Sequence, residues 1–218
     1  RKSDGAELAL KIQYPGVANA IDSDMRALVR LLKLSRLVPI TEQFNQWLDE
    51  VRDMLGREVD YDLEAHTTRH FREALADDPR FVVPEVYGDY STHNILCLSY
   101  EEGVHISDPS VVSLSQERRN FIGRAIMELC CREVFEWNKM QTDPNFGNYL
   151  LRFGDSPEND QIVLLDFGAI QDFDNDVLGP GREMIRASFH HDGDRLVRAL
   201  HALDFLARGA PRRLLDDF

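Results

Sequence analysis

The chain is predicted to fold as an α+β protein of two lobes, a strand-rich first lobe carrying helical insertions and a mainly helical second lobe. Three observations predict this. A short apolar-rich run, Ala6 to Gln13, ends at the turn Tyr14-Pro15-Gly16 and reads as a strand. Apolar residues then recur at helical spacing for most of the next sixty positions, and a second helical stretch closes the chain. Between them, short apolar runs bounded by polar turns read as strands. The chain has 218 residues, 43% of them hydrophobic, enough for one large domain or two small lobes. Its formal net charge of −13 argues against a nucleic-acid binder, which needs a basic face, yet leaves room for a local phosphate site.

The chain opens on RKSDGAELALKI, which reads as the end of one strand, a turn at Asp4-Gly5 and a second strand; it has no initial Met and is read as a fragment whose targeting segment lies outside it. Ile21, Met25, Leu28, Val29 and Leu32 place one face of a helix from Val17 to about Leu37. Thr41 caps a second helix with Phe44 and Leu48 on its apolar face, and the pattern continues through Val51, Leu55 and Val59 to Leu75. That is long for one helix, and a break is expected near Gly56. Phe81 to Val86 and Asn94 to Tyr100 read as strands around a turn at Gly88-Asp89, followed by EEGVHISDPS as a loop. Ser115 starts a helix running to about Met140. Leu150-Leu151 and Ile162 to Leu165 read as strands flanking GDSPENDQ, and Val177 to Leu206 as mostly helix. The expected lobes are residues 1–101 and 102–218. No apolar run approaches the ~20 residues of a membrane-spanning helix.

The chemistry concentrates in QTDPNFGNYL, residues 141–150, and VLLDFG, residues 163–168. Asp143 precedes a proline, which pushes its backbone away from helix. Asn148 lies five residues on, and Asp166 follows a buried-strand signature and precedes Phe167-Gly168. Asn148 and Asp166 offer oxygen ligands of the kind a hard cation such as Mg²⁺ takes, with phosphates and water completing its shell. Asp143 is then left to orient or deprotonate a hydroxyl or water attacking a phosphate. This D-x4-N…DFG set matches the phosphoryl-transfer template of protein kinases. The template also asks for a strand lysine for the α- and β-phosphates and a helical glutamate partner. LALKIQ supplies Lys11; a lone strand lysine is more commonly an edge charge. Glu58 and Glu64 are the candidate partners, and the Lys11–Glu64 separation, 64 − 11 = 53 residues, implies an insertion that Val17 to Gln46 fits.

KIQYPGV, the E-x-D-Y-x-x-E run of Glu58, Asp60 and Glu64, the QTDPNFGN loop and LLDFGA together resemble the UbiB family of atypical protein-kinase-like proteins, over roughly residues 6–205. They are most similar to its branch required for coenzyme Q (ubiquinone) biosynthesis. The resemblance implies a protein-kinase-like fold and an ATPase or phosphotransferase using ATP/ADP and Mg²⁺. It implies Lys11 as the phosphate-binding lysine with Glu64 as partner, Asp143 as the catalytic aspartate, and Asn148 and Asp166 as metal ligands. It further implies Glu58 and Asp60 shaping the nucleotide pocket, and Ser99, Tyr100 and Glu101 contacting adenine through the backbone. As partners it implies, besides nucleotide, lipid or quinone intermediates, other coenzyme Q biosynthesis proteins and peripheral membrane contact. The location implied is mitochondrial, on the matrix side of the inner membrane, in a eukaryote, and cytoplasmic in a bacterium. The family's Ala-rich loop and K-x-G-Q segment do not occur in these residues. If Glu64 faces Lys11, Glu58 should not: six residues on one continuous helix is about 600° of rotation.

Other signals carry less. His66-Thr-Thr-Arg-His70 lacks the glutamate of a zinc-protease helix and reads as a solvated or partly buried face. Cys130-Cys131 read as core residues, and three cysteines with two adjacent make no disulfide framework. Arg212-Arg213 is thin support for lipid contact. Small-molecule kinases of the aminoglycoside or choline type share D-x4-N but place a His before the catalytic Asp, where this chain has Thr142. A nucleotide-sensing scaffold without turnover is the alternative outside enzymes. The stretch after DFG turns quickly into helix, with no A-P-E and little room for a peptide-docking segment.

Overall fold

The computed structural model describes residues 5–35, 41–143 and 145–206. The strand end and turn expected before Gly5, the end of the first helix beyond Ser35, Pro144 and Arg212-Arg213 lie outside the described residues. The chain divides into two compact units, Arg1–Ala125 with Thr142–Ile170, and Ile126–Gln141 with Gln171–Phe218.

In the first unit, β1 (Leu8–Ile12) pairs antiparallel with β3 (Ile95–Ser99), with Lys11 opposite Leu96. Leu10 and Ile12 point outward, so Ala9 and Lys11 take the inner face. Against that face packs α3 (Tyr61–Ala74), whose Tyr61 and Ala65 form one buried cluster with Leu96 and Leu98. Its buried stripe, Tyr61, Glu64, Ala65, Thr68 and Phe71, keeps helical spacing but includes a glutamate. Two further helices, α1 (Val17–Ser35) and α2 (Glu42–Glu58), lie between β1 and α3 in sequence. Thr41 caps α2 by accepting the Phe44 N–H.

The helix break comes at Val59-Asp60 rather than near Gly56. Asp60 accepts the Leu63 N–H at 2.9 Å and so starts α3, whereas Gly56 stays inside α2. A capping aspartate stabilises a helix start, by about 1 kcal/mol; glycine inside a helix is a tolerated cost of similar size. Strand expectations also change. Only Phe81–Val82 (β2) forms regular strand, parallel to β7 (Gln161–Leu164), because the buried Pro84 has no N–H to donate. Residues 85–87 instead approach β3 through the Ser99 and Tyr87 amides. The loop expected after Tyr100 contains β4 (Val104–His105) and a short α4 (Pro109–Val112) capped by Asp108. The second sheet has the order β2-β7-β6-β4, with β6 (Tyr149–Arg152) and β7 forming the expected hairpin. Its connection is stapled by Arg118, which donates to the Asp160 carboxylate and the Gly154 carbonyl.

The long helix begins in the first unit, continues into the second at Ile126, and does not reach Met140. Its regular part, α5 (Gln116–Arg132), passes into one wide π turn over Glu133–Trp137. Asn138 ends it in the left-handed conformation (φ 55°), and β5 (Lys139–Gln141) pairs with β8 (Ile170–Asp172). Arg182 supplies donors to the Val134 carbonyl and the Asn138 side chain, meeting acceptors that a helix end leaves open. α6 (Asn175–Phe189) and α7 (Gly193–Ala202) follow, their core being Ala187, Leu196 and Leu200. Cys130 and Cys131 are exposed, not core: the buried stripe of α5 runs Ile122, Ala125, Leu129, Glu133, and the two thiols follow Leu129 off that line.

Two glycine substitutions separate backbone contact from helix propensity. A Cβ on Gly154 would stand 2.7 Å from the Asn159 carbonyl oxygen, so Gly154→Ala is expected to lower stability by about 1–3 kcal/mol. Gly123 on α5 has open space around it, and Gly123→Ala is expected to raise stability by up to about 1 kcal/mol. Denaturant melts of the two variants check both signs.

Candidate active site

Lys11 reaches inward from β1, and its ammonium meets both oxygens of Glu64, at 2.9 and 2.8 Å, and Oδ2 of Asp166 at 3.3 Å. It also lies 5.4 Å from the centre of the Tyr61 ring. Glu64 is 1% exposed. A carboxylate so placed is costly unless it is paired, and Lys11 is the pair. Its helix turn is fixed as well, since Thr68 Oγ1 donates to the Glu64 carbonyl.

Asp166 stands two residues past the end of β7, and its other oxygen accepts the Gly168 N–H at 2.9 Å. Gly168 lies so close to Asp166 and Glu64 that a Cβ there would stand 3.3 Å from Asp166 Oδ1 and 3.5 Å from Glu64 Oε2. A cavity of about 250 Å³ opens beside this group, lined by Lys11, Glu58, Asp143, Asp166, Gly168 and Ala169. Asp143 stands exposed on its wall, and the residue before it is anchored: the Thr142 amide and hydroxyl both donate to the Ala169 carbonyl. Asn148 ends a short 3₁₀ turn capped by Asn145, and its carbonyl accepts the Leu165 N–H at 2.9 Å, one residue before Asp166.

The charges follow from burial and proximity. Burial alone pushes the Lys11 ammonium down, but Glu64 and then Asp166 more than reverse this, leaving it above its usual 10.5. Burial raises the Glu64 carboxyl; Lys11 offsets part of that rise, and the Asp166 charge adds to it. Burial likewise raises the Tyr61 hydroxyl against the pull of Lys11. The oxygen donors of Asp166 and Asn148 are of the type a hard divalent ion takes, and such an ion needs only one or two protein carboxylates. Among the described residues no three His, Cys, Asp or Glu side chains group as a metal cage.

The remaining expected residues distribute as follows. Asp60 caps α3. Glu58 lines the same cavity as Lys11, contrary to the rotation argument. That argument required one continuous helix, and the break at Val59-Asp60 puts Glu58 on α2 and Glu64 on α3. Ser99, Tyr100 and Glu101 stand at the end of β3, where the Tyr100 N–H donates to the Glu7 carbonyl. His66 is exposed and His70 half-buried, stacked edge-on against Phe71.

Glu133 went unread in the sequence, Tyr61 was read only as part of the E-x-D-Y-x-x-E run, and Thr142 only as the residue standing where other kinases have a His. Glu133 is 5% exposed and accepts the Gln141 N–H at 3.2 Å, two residues before Asp143. Its signal was present: it continues the buried stripe of α5, four residues after Leu129.

Comparison with known proteins agrees with this geometry. The ABC1 atypical kinase-like domain model matches residues 1–200. The chain is 38% identical over 202 residues to the zebrafish (Danio rerio) protein "Atypical kinase COQ8B, mitochondrial", covering 93% of this chain and 31% of that protein. It is 39% identical over 181 residues to "Atypical kinase COQ8, mitochondrial" of Saccharomyces cerevisiae, covering 83% of this chain and 35% of the relative. The chain thus spans about a third of the length of these curated relatives. A solved structure of Rv3197 in complex with erythromycin, from Mycobacterium tuberculosis, matches with a TM-score of 0.73 at 28% identity, covering 99% of this chain and 55% of that one. The fold is therefore α+β and kinase-like.

Glu133 sets a pH dependence. Burial raises its carboxyl above 4.5, with the Gln141 amide opposing. The folded chain then holds this proton more tightly than the unfolded chain, so the Glu133 contribution to stability is greatest below about 4.5 and falls as pH rises through the folded value. Glu133→Gln keeps an oxygen for Gln141 and removes the titration. Its melting temperature relative to wild type is expected to rise between about pH 4.5 and pH 7; a pH-independent offset refutes the assignment.

Proposed function

The chain belongs to the ABC1 atypical kinase-like family, and on that premise we propose that it binds Mg-ATP and hydrolyses or transfers the terminal phosphoryl group in support of ubiquinone synthesis. The observation that carries this is the Lys11 ammonium, held by Glu64 and Asp166 on the wall of a cavity that Asp143 shares. A cation fixed by two carboxylates keeps a defined position for phosphate oxygens, and the Asp166 carboxylate beside it would hold a divalent ion that neutralises their charge.

In this reading Lys11 binds the α- and β-phosphates, and Glu64 holds Lys11 in place. Asp166 and Asn148 hold Mg²⁺, which when bound neutralises charge developing on the phosphates. Asp143 orients the attacking hydroxyl or water and takes its proton. Ser99 to Glu101 meet the base through backbone groups, while Glu58 and Asp60 shape the pocket mouth. The lobes of this kinase-like arrangement are residues 1–101 and 102–218. The mitochondrial names of the relatives favour that compartment in a eukaryotic source. Lipid or quinone intermediates and other proteins of ubiquinone synthesis are the proposed partners, at a membrane surface.

Two substitutions test the division of labour. Asp166→Asn is expected to weaken Mg-ADP binding by about 10–100-fold with the fold retained, read by calorimetry and by melting without ligand. Asp143→Asn should cut phosphate release from ATP by about 10²–10⁴-fold while nucleotide affinity changes little. Unchanged metal-dependent binding in Asp166→Asn, or equal losses of affinity and rate in Asp143→Asn, would overturn the respective role.

A further inference from the structure

β3 ends at Ser99, and residues 100–103 carry the chain on to β4. This crossing is held from one side by Arg152, the last residue of β6. Arg152 donates Nε–H to the Glu102 carbonyl at 2.7 Å and Nη2–H to Glu101 Oε2 at 2.5 Å. The second oxygen of that carboxylate accepts from the Ser99 hydroxyl at 2.5 Å, and the Ser99 hydroxyl in turn accepts the Glu85 N–H at 2.9 Å. The Glu101 side chain is 14% exposed and that of Arg152 32%. The backbone is pressed close as well: a Cβ on Gly103 would stand 2.7 Å from Leu150 Cβ.

We propose that Arg152 is a positioning residue for nucleotide affinity, fixing the 99–102 backbone as the edge that reads the base. This rests on the nucleotide reading above. The guanidinium fork is planar and grips a carbonyl and a carboxylate in one fixed geometry, which a lysine cannot copy. The Glu101 carboxylate is occupied by Arg152 and Ser99, and the Ser99 and Tyr100 amides by the Glu85 and Glu7 carbonyls, so what the segment keeps for a ligand is the Glu101 main chain. At its other end β6 begins directly after Asn148, so one strand of about 13 Å, four residues at about 3.3 Å each, separates the clamp from a metal ligand. An edge held rigid before binding loses less conformational freedom when the ligand arrives. The pair is partly exposed, so its direct contribution to stability is small and its effect falls on affinity.

The experiment is calorimetric titration of the full chain with Mg-ADP and, separately, with Mg-tripolyphosphate, which has phosphates and no base. Arg152→Ala is expected to weaken Mg-ADP about tenfold and leave Mg-tripolyphosphate within about twofold of wild type, since charge-assisted bonds at the base edge are lost and the phosphate contacts remain. Arg152→Lys is expected to recover little of the loss. Asp166→Asn, as a control on the phosphate side, weakens both probes. Arg152→Ala with wild-type Mg-ADP affinity overturns the proposal and leaves the nucleotide reading standing. Equal losses for both probes overturn it too, because they mark general destabilisation. A wild-type chain that binds neither probe overturns the nucleotide reading and the proposal with it.

Discussion

The site depends on one ion pair, between a buried carboxylate and a part-exposed ammonium. Glu64 has almost no exposed surface, and removing an ionised carboxylate from water is tolerable only when a cation and good geometry accompany it. Lys11 supplies both, and this requirement shapes much of the first unit. β1 must turn Lys11 inward and leave Leu10 and Ile12 outside. The helix that carries Glu64 must start where Asp60 caps it, so that Tyr61, Glu64 and Ala65 face β3 together. The segment after the strand residues Ile162-Val163-Leu164 must bring Asp166 close enough to share the ammonium.

A good part of this was legible in the sequence. β1, the Thr41 cap, the β6–β7 hairpin and the closing helices rest on local signals: alternation, a capping hydroxyl, turn residues and helical periodicity. The approach of Lys11 and Glu64 was legible because the phosphoryl-transfer template asks for a strand lysine with a helical glutamate partner, and the E-x-D-Y-x-x-E run supplies one. What failed to read was decided by a local helix break and by contacts between distant residues. Glu58 reaches the cavity because a cap breaks the helix at Asp60, and periodicity carries across such a break unseen. The long helix stops short of Met140 because Asn138 takes a left-handed turn and Arg182, forty-four residues on, meets the open acceptors. Arg152 finds its partners, Glu102 and Glu101, fifty and fifty-one residues away, where no local pattern marks them.

The chain is strongly acidic, with a formal charge of −13, yet the cavity is proposed to take the most anionic of common ligands. The two facts are compatible because the field that matters is local. Lys11 presents one immobilised positive charge, and a divalent ion on Asp166 would add two more within a few ångströms. The surrounding negative surface is screened beyond about 10 Å at ordinary ionic strength. On the proposed reading, metal-free nucleotide would meet mostly carboxylates, and the same arrangement would select for the metal complex.

The pairing of Lys11 with Leu96 and of Phe81 with Ile162 joins residues far apart in the chain. Both registers close long loops, and such contacts come late and slowly in folding because chain entropy is lost before they repay it. The entropy of closure grows only with the logarithm of loop length, about 0.6 kcal/mol for each doubling, so lodging α1 and α2 inside the β1–β3 loop adds little to it. The insertion is thus thermodynamically cheap. Lys11 and Glu64 sit inside the same long loop, 53 residues apart, and meet only once β1 has found β3. A chain part-way through folding has its helices but not the Lys11–Glu64 pair, so the cavity beside that pair takes shape together with the native topology.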